Sequence, residues 1–153
     1  MQAKERGATI AEAALTLNVL FMLLIGMLGF GVIFGEYQLM TDAAREGARS
    51  AVVAVNTPTP AQVATRVCSY LIKGLQPANC TTPHTVTKCT VAGGKFPPAN
   101  AADGVYVTVC PPVAQPNNLA VVYTEVDILK HVKLPILPSI ALHTTAVMRN
   151  EVN

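Results

Sequence analysis

Residues 13–34 contain no Asp, Glu, Lys or Arg. An α-helix of that length rises roughly 33 Å, enough to cross the hydrocarbon core of a bilayer. The stretch therefore predicts one transmembrane helix. Its polar members, Thr16 and Asn18, can bond back to the helix or to a neighbouring helix and do not prevent insertion. A secretory signal would carry a shorter apolar core, about 7–15 residues, followed by a small-residue cleavage site. Here the apolar run is longer and passes directly into more helix-forming sequence.

Composition supports a membrane protein and excludes two other classes. Of 153 residues, 51% are hydrophobic and 13% charged, against about 25% charged in an average soluble domain, so whole-chain disorder is ruled out. A net charge of +2 is too weak a field to make nucleic acid the main partner. All eleven prolines lie at position 58 or later, which separates a helical first part from a loop-rich second part. Lys4 and Arg6 precede the span, whereas Glu36, Asp42, Arg45, Glu46 and Arg49 follow it. This asymmetry predicts a cytoplasmic amino end and an exported remainder, where cysteines can oxidise.

The residues at the membrane entry are unusual. Arg6-Gly7-Ala8-Thr9-Ile10-Ala11-Glu12 places a carboxylate at the edge of an apolar helix, where an acidic residue costs up to about 2.5–3.5 kcal/mol at the bilayer centre and less near the interface. One reading is an interfacial Glu12 that snorkels to the headgroups. The other takes the arrangement as a whole. A glycine followed by an apolar stretch with Glu at plus five resembles the type IV prepilin cleavage and assembly motif, with Gly7, Ala8 and Glu12 in its positions. That resemblance implies cutting by a prepilin peptidase between Gly7 and Ala8. The new α-amine at Ala8 would then be neutralised by Glu12 of a neighbouring subunit.

Further along, Gly29-Phe30-Gly31 and the run Ala44-Arg45-Glu46-Gly47-Ala48-Arg49 resemble the TadE-like family of pseudopilins, minor pilins of Flp-type tight adherence pili. The stretch 146–151 is similar to that family's closing strand. Two positions depart from the family pattern: Ala13 stands where Phe is usual after the motif glutamate, and Gly29 where an acidic residue often precedes Phe-Gly. The resemblance implies a bacterial cytoplasmic membrane, with a periplasmic or extracellular head. It also implies a set of partners: the peptidase, a membrane assembly platform driven by a cytoplasmic ATPase, other pseudopilins and the major pilin.

Read from the residues, Gly31 and Gly35 form a GxxxG spacing that permits close helix approach, although glycine is common in membrane helices in any case. Apolar residues at three- and four-residue spacing continue the helix to about residue 55. Asp42 with Arg45, and Glu46 with Arg49, are i,i+3 pairs on its polar side. Thr57-Pro58-Thr59-Pro60 stops it, and Thr59 with Pro60 caps and opens a second helix predicted over 60–73, with Gly74 as its stop. Val- and Thr-rich alternation then predicts strands over 85–91, 105–109, 121–128 and 142–148, and the stretches 96–104 and 111–118 read as connectors. The expected fold is α+β: a long N-terminal transmembrane helix extending beyond the membrane, a second helix, and a small, mainly antiparallel sheet of about four strands. The corresponding divisions are a prepilin-type leader over 1–7, the long helix over 8–55 and an extracytoplasmic domain over 56–153.

Cys68, Cys80, Cys89 and Cys110 show no CxxC spacing, so a zinc or thioredoxin-type site is not expected. Among three possible connectivities we favour Cys68 with Cys80 and Cys89 with Cys110. The second requires a register with residue 91 opposite 108, since a tight hairpin pairing 92 with 104 would set Cys89 opposite 107. Free buried thiols are the alternative. His84, His131 and His143 stand apart in the sequence, and no Gly-Lys phosphate loop occurs. No enzyme, metal or cofactor is expected. The functional expectation is a processed minor pilin; the alternative is an uncleaved bitopic protein whose head binds a ligand. A major filament subunit ranks below both.

Overall fold

The computed structural model describes residues 2–53, 58–71, 76–77, 80, 82–84, 101–110, 113–114, 120–133 and 139–150. The chain divides into two compact units at Gly35/Glu36. Helix α1 (Gln2–Val53) passes through both, and its backbone is already helical across the predicted leader.

The first unit is the apolar part of α1. It is long and apolar enough to cross a membrane, and every residue from 9 to 28 is exposed. Large apolar side chains left uncovered in this way need a non-aqueous surrounding.

The second unit contains the end of α1, helix α2 (Pro60–Tyr70), and strands β1 (Gly104–Val109), β2 (Val113–Ala114), β3 (Ala120–Val121), β4 (Tyr123–Val132) and β5 (Ile140–Arg149). Thr59 caps α2: its side chain accepts from the Gln62 backbone N–H, while the Gln62 side chain accepts from the Thr59 N–H, with Pro60 in the first turn. This reciprocal arrangement satisfies two otherwise orphan donors. The helix stops at Tyr70 and not at the expected residue 73, because Leu71 is already extended. The Gln76 amide donates to the carbonyls of Cys68 and Leu71, replacing bonds that a further turn would have made. Cys68 and Cys80 form a disulfide across this terminus.

The sheet is antiparallel and three-stranded, in the order β1-β4-β5, and β2 with β3 forms a separate two-stranded ladder. It thus has three main strands where about four were expected; the strand predicted over 85–91 lies outside the described residues, as do Gly74 and Cys89. The stretch 111–118, expected as a connector, contributes β2. Register pairs Val105 with Ile128, Val107 with Val126, and Ile128 with Thr144, so these residues share one face. That face packs on α1. Thr144 donates to Thr41 at 3.2 Å, and Lys130 lies 3.7 Å from the Glu36 carboxylate. Met40, Ala43, Ala44 and Ala48 of α1 and Val63, Ala64 and Val67 of α2 are all fully buried with it.

Gly47 sits where these elements meet. A Cβ built there would lie 2.3 Å from Val67 Cγ2 and 3.5 Å from Val126 Cγ1. Only a residue without a side chain lets α1 approach α2 and β4 so closely.

Candidate functional site

In the first unit, Glu12 lies on the exposed surface of α1, one turn after Ala8. The Thr16 hydroxyl, one turn further on, is occupied locally, donating to the carbonyls of Glu12 and Ala13 at 3.1 and 3.0 Å. It is therefore not a partner of the Glu12 side chain. Gly26, Gly29, Gly31 and Gly35 all face open space, with no atom within 4 Å of a Cβ built at any of them. Phe30 stacks on Phe34, ring centroids 6.2 Å apart. The surface offered is apolar, notched by glycines, and carries one carboxylate near its beginning.

The run from Ala44 to Arg49 divides between two tasks. Ala44, Gly47 and Ala48 are buried against the head, whereas Arg45 and Arg49 are exposed. Glu46 does not pair with Arg49; it pairs with Arg66 of α2 at 3.3 Å, and the Arg66 guanidinium lies 5.4 Å from the centroid of the Tyr70 ring. Asp42 and Arg45 likewise form no ion pair among the described residues. Glu46, Arg49, Ser50, Val53 and Arg66 line an open groove beside that pair. The small residues of the run thus set the approach of α2, and its arginines are left for solvent or for another molecule.

Several polar residues of the head escaped the sequence reading. The His131 ring donates from Nδ1 to the Asp103 carboxylate, and its backbone N–H donates to the same carboxylate at 3.1 Å. On the sheet face away from α1, Glu125 and Asp127 are both 2% exposed. The Thr145 hydroxyl donates to Asp127 Oδ1, and His143 Nε2 lies 3.3 Å from the same oxygen and 3.0 Å from Thr145 Oγ1. Burial pushes the Asp127 carboxyl up to about 7, against the lowering effect of the Thr145 hydrogen bond and reinforced by the neighbouring Glu125. Burial also lowers His143 below the usual imidazole range, so its ring favours the neutral form at pH 7. Cys110 is disulfide-bonded, and its Sγ lies 3.9 Å from Glu125 Oε2. Among the described residues no group of three His, Cys, Asp or Glu is disposed to hold a metal ion.

The molecule these features define has an apolar helix able to cross a membrane and a small α+β head that contains the last turns of the same helix. Residues 7–49 match the family described as TadE-like protein, so that segment of the chain is similar to this family. No curated protein and no solved structure matches the chain significantly.

Proposed function

We propose that the protein is a non-enzymatic minor pilin, or pseudopilin, of the type IVb class. It would act in the assembly of a Flp/Tad pilus or a related secretion apparatus. The observation that carries this reading is the apolar surface of α1 in the segment matched to the TadE-like family, with Gly7 and then Glu12 five residues on. A prepilin peptidase would cut after Gly7, leaving an ammonium at Ala8. The Glu12 carboxylate has no hydrogen-bond or ion-pair partner among the described residues, and an uncompensated carboxylate in hydrocarbon is costly. A neighbouring subunit's terminal ammonium supplies the opposite charge and fixes the register between helices. The glycine-notched surface around Gly31 and Gly35 lets such helices pack closely. The amino end faces the cytoplasm, and the head lies in the periplasm or beyond it, in contact with the assembly platform, other pseudopilins and the major pilin. The exposed Arg45 and Arg49 suit contacts outside the head.

Glu12→Ala tests this directly. We expect normal membrane insertion and normal removal of the leader, with at least a tenfold loss of the protein from sheared surface filaments or from cross-linked complexes with other pilins. Unchanged incorporation of the alanine variant would contradict the assignment of Glu12 to assembly.

A further inference from the structure

The end of the head at which Glu36 stands can be read from the register of the sheet. Along α1, Glu36 lies 3.7 Å from Lys130 of β4, Thr41 meets Thr144, which stands opposite Ile128, and Gly47 lies against Val126. Contacts that climb α1 therefore descend β4, and the two run in opposite directions. The close of β4 and the openings of β1 and β5 gather at the Glu36 end, with Val132 opposite Ile140 and Leu129 opposite Gly104. Glu36 is two residues beyond Phe34, where the uncharged run ends. Two residues span at most roughly 7 Å, so covalent linkage alone tethers Glu36 within that reach of the last uncharged residue.

The side chains at this end suit a headgroup layer. Tyr37 is 43% exposed, and tyrosine is enriched where hydrocarbon gives way to water. Ile140, 37% exposed, opens β5 directly after the exposed Ser139. Of the charged groups here, Lys130 is set against Glu36 and His131 against Asp103. Lys133 is exposed and forms no ion pair among the described residues. It leaves one surplus positive charge at an end that also presents two large apolar side chains. The stem of a lysine lies along apolar surface while its ammonium reaches a phosphate. The five residues that join Lys133 to Ser139 lie outside the described residues; their sequence, Leu134-Pro135-Ile136-Leu137-Pro138, contains no charge. Arg149, by contrast, closes the ten-residue β5 at its other end, roughly 30 Å away at about 3.3 Å per residue.

We infer that this end of the head, marked by Tyr37, Lys133 and Ile140, rests in the headgroup layer of the membrane that α1 crosses, with the Lys133 ammonium on lipid phosphate. The inference rests on α1 being a membrane span and is independent of leader cleavage and filament assembly. The tether supplies the nearness, so the contact needs little further attraction. One lysine beside an anionic lipid surface shifts such an equilibrium by about fivefold, and Tyr37 and Ile140 add apolar area for the lipid to cover.

The test uses the full chain in nanodiscs that contain lipid bearing a nitroxide quencher near the headgroup. A bimane fluorophore is attached at Ile140→Cys, at Arg149→Cys and at Val32→Cys, each made singly with the native disulfides kept oxidised. All three positions are exposed, so the labels displace no core. We expect quenching at 140 to exceed that at 149 by at least about threefold, because the two ends of β5 lie roughly 30 Å apart. In discs containing phosphatidylglycerol, Lys133→Glu should lower the quenching at 140 toward the value at 149. In discs of phosphatidylcholine alone the same substitution should have a smaller effect. Quenching at 140 no greater than at 149, with strong quenching at 32, would overturn the inference and leave the span intact. No quenching at 32 would remove the span and the inference together. An effect of Lys133→Glu that is nil, or equal in the two lipids, would overturn the assignment of Lys133 to lipid phosphate.

Discussion

Gly47→Val is expected to destabilise the head by about 3 kcal/mol or more. In the interior of a helix, glycine is about 1 kcal/mol less favourable than alanine, so its presence inside the long α1 needs a compensating contact. The geometry provides one: a Cβ at position 47 would stand 2.3 Å from the buried Val67 Cγ2, well inside van der Waals contact. Val67 is fully buried and its side chain is β-branched, so it has little freedom to turn aside. Overpacking of this kind costs about 1–3 kcal/mol for modest additions, and valine adds two more methyl groups to the clash. Denaturant titration of the full chain in micelles should show the loss, with Gly47→Ala intermediate because its gain in helix propensity offsets part of the clash. Gly31→Ala and Gly35→Ala are the controls. Both positions open onto space, so the isolated protein should be unaffected, and any defect of these variants should be confined to assembly.

The second large effect is expected from Cys68→Ser. The bridge joins the last turn of α2 to a residue 12 positions on, and closing a loop of this size stabilises a fold by about 3 kcal/mol in the chain-entropy account. Cys68 and Cys80 are buried, so the serine variant also leaves one hydroxyl group in an apolar setting, opposite the freed Cys80 thiol. We expect a fall of about 2–4 kcal/mol in unfolding free energy. Cys80→Ser should match it, and the double variant should be no worse than either single one, because all three lose the same bond. A clear additive loss would mean that each cysteine acts through packing and not through the bridge.

How far the sequence led can be judged element by element. The candidate membrane span and the start of α2 were legible because each depends on local rules: an uncharged run of sufficient length, and the Thr59-Pro60 pair. β4 was only partly legible. Its alternation was visible over 121–128, whereas the strand runs on to Val132 and takes in Lys130 and His131. These two polar residues are accommodated by Glu36 and Asp103, respectively, partners distant in sequence that no local pattern reveals. The same limit explains why Glu125 and Asp127 were missed. Alternation placed them on the face opposite Val126 and Ile128, and a polar face of an antiparallel sheet is ordinarily wet; here it is buried. For Glu46 the i,i+3 neighbour Arg49 was evident in the sequence, whereas its actual partner Arg66 came into reach only when α2 folded back. Periodicity reports which side a residue faces, and tertiary packing decides what covers that side.

The central claim is that the chain is a prepilin, and its amino terminus tests this most directly. Intact mass and N-terminal sequencing of the protein taken from its native membrane should show a chain that begins at Ala8, and a Gly7→Leu variant should retain its first seven residues. Native protein that still carries Met1 through Gly7 in cells with an active prepilin peptidase would contradict the account and leave the chain as an uncleaved membrane anchor.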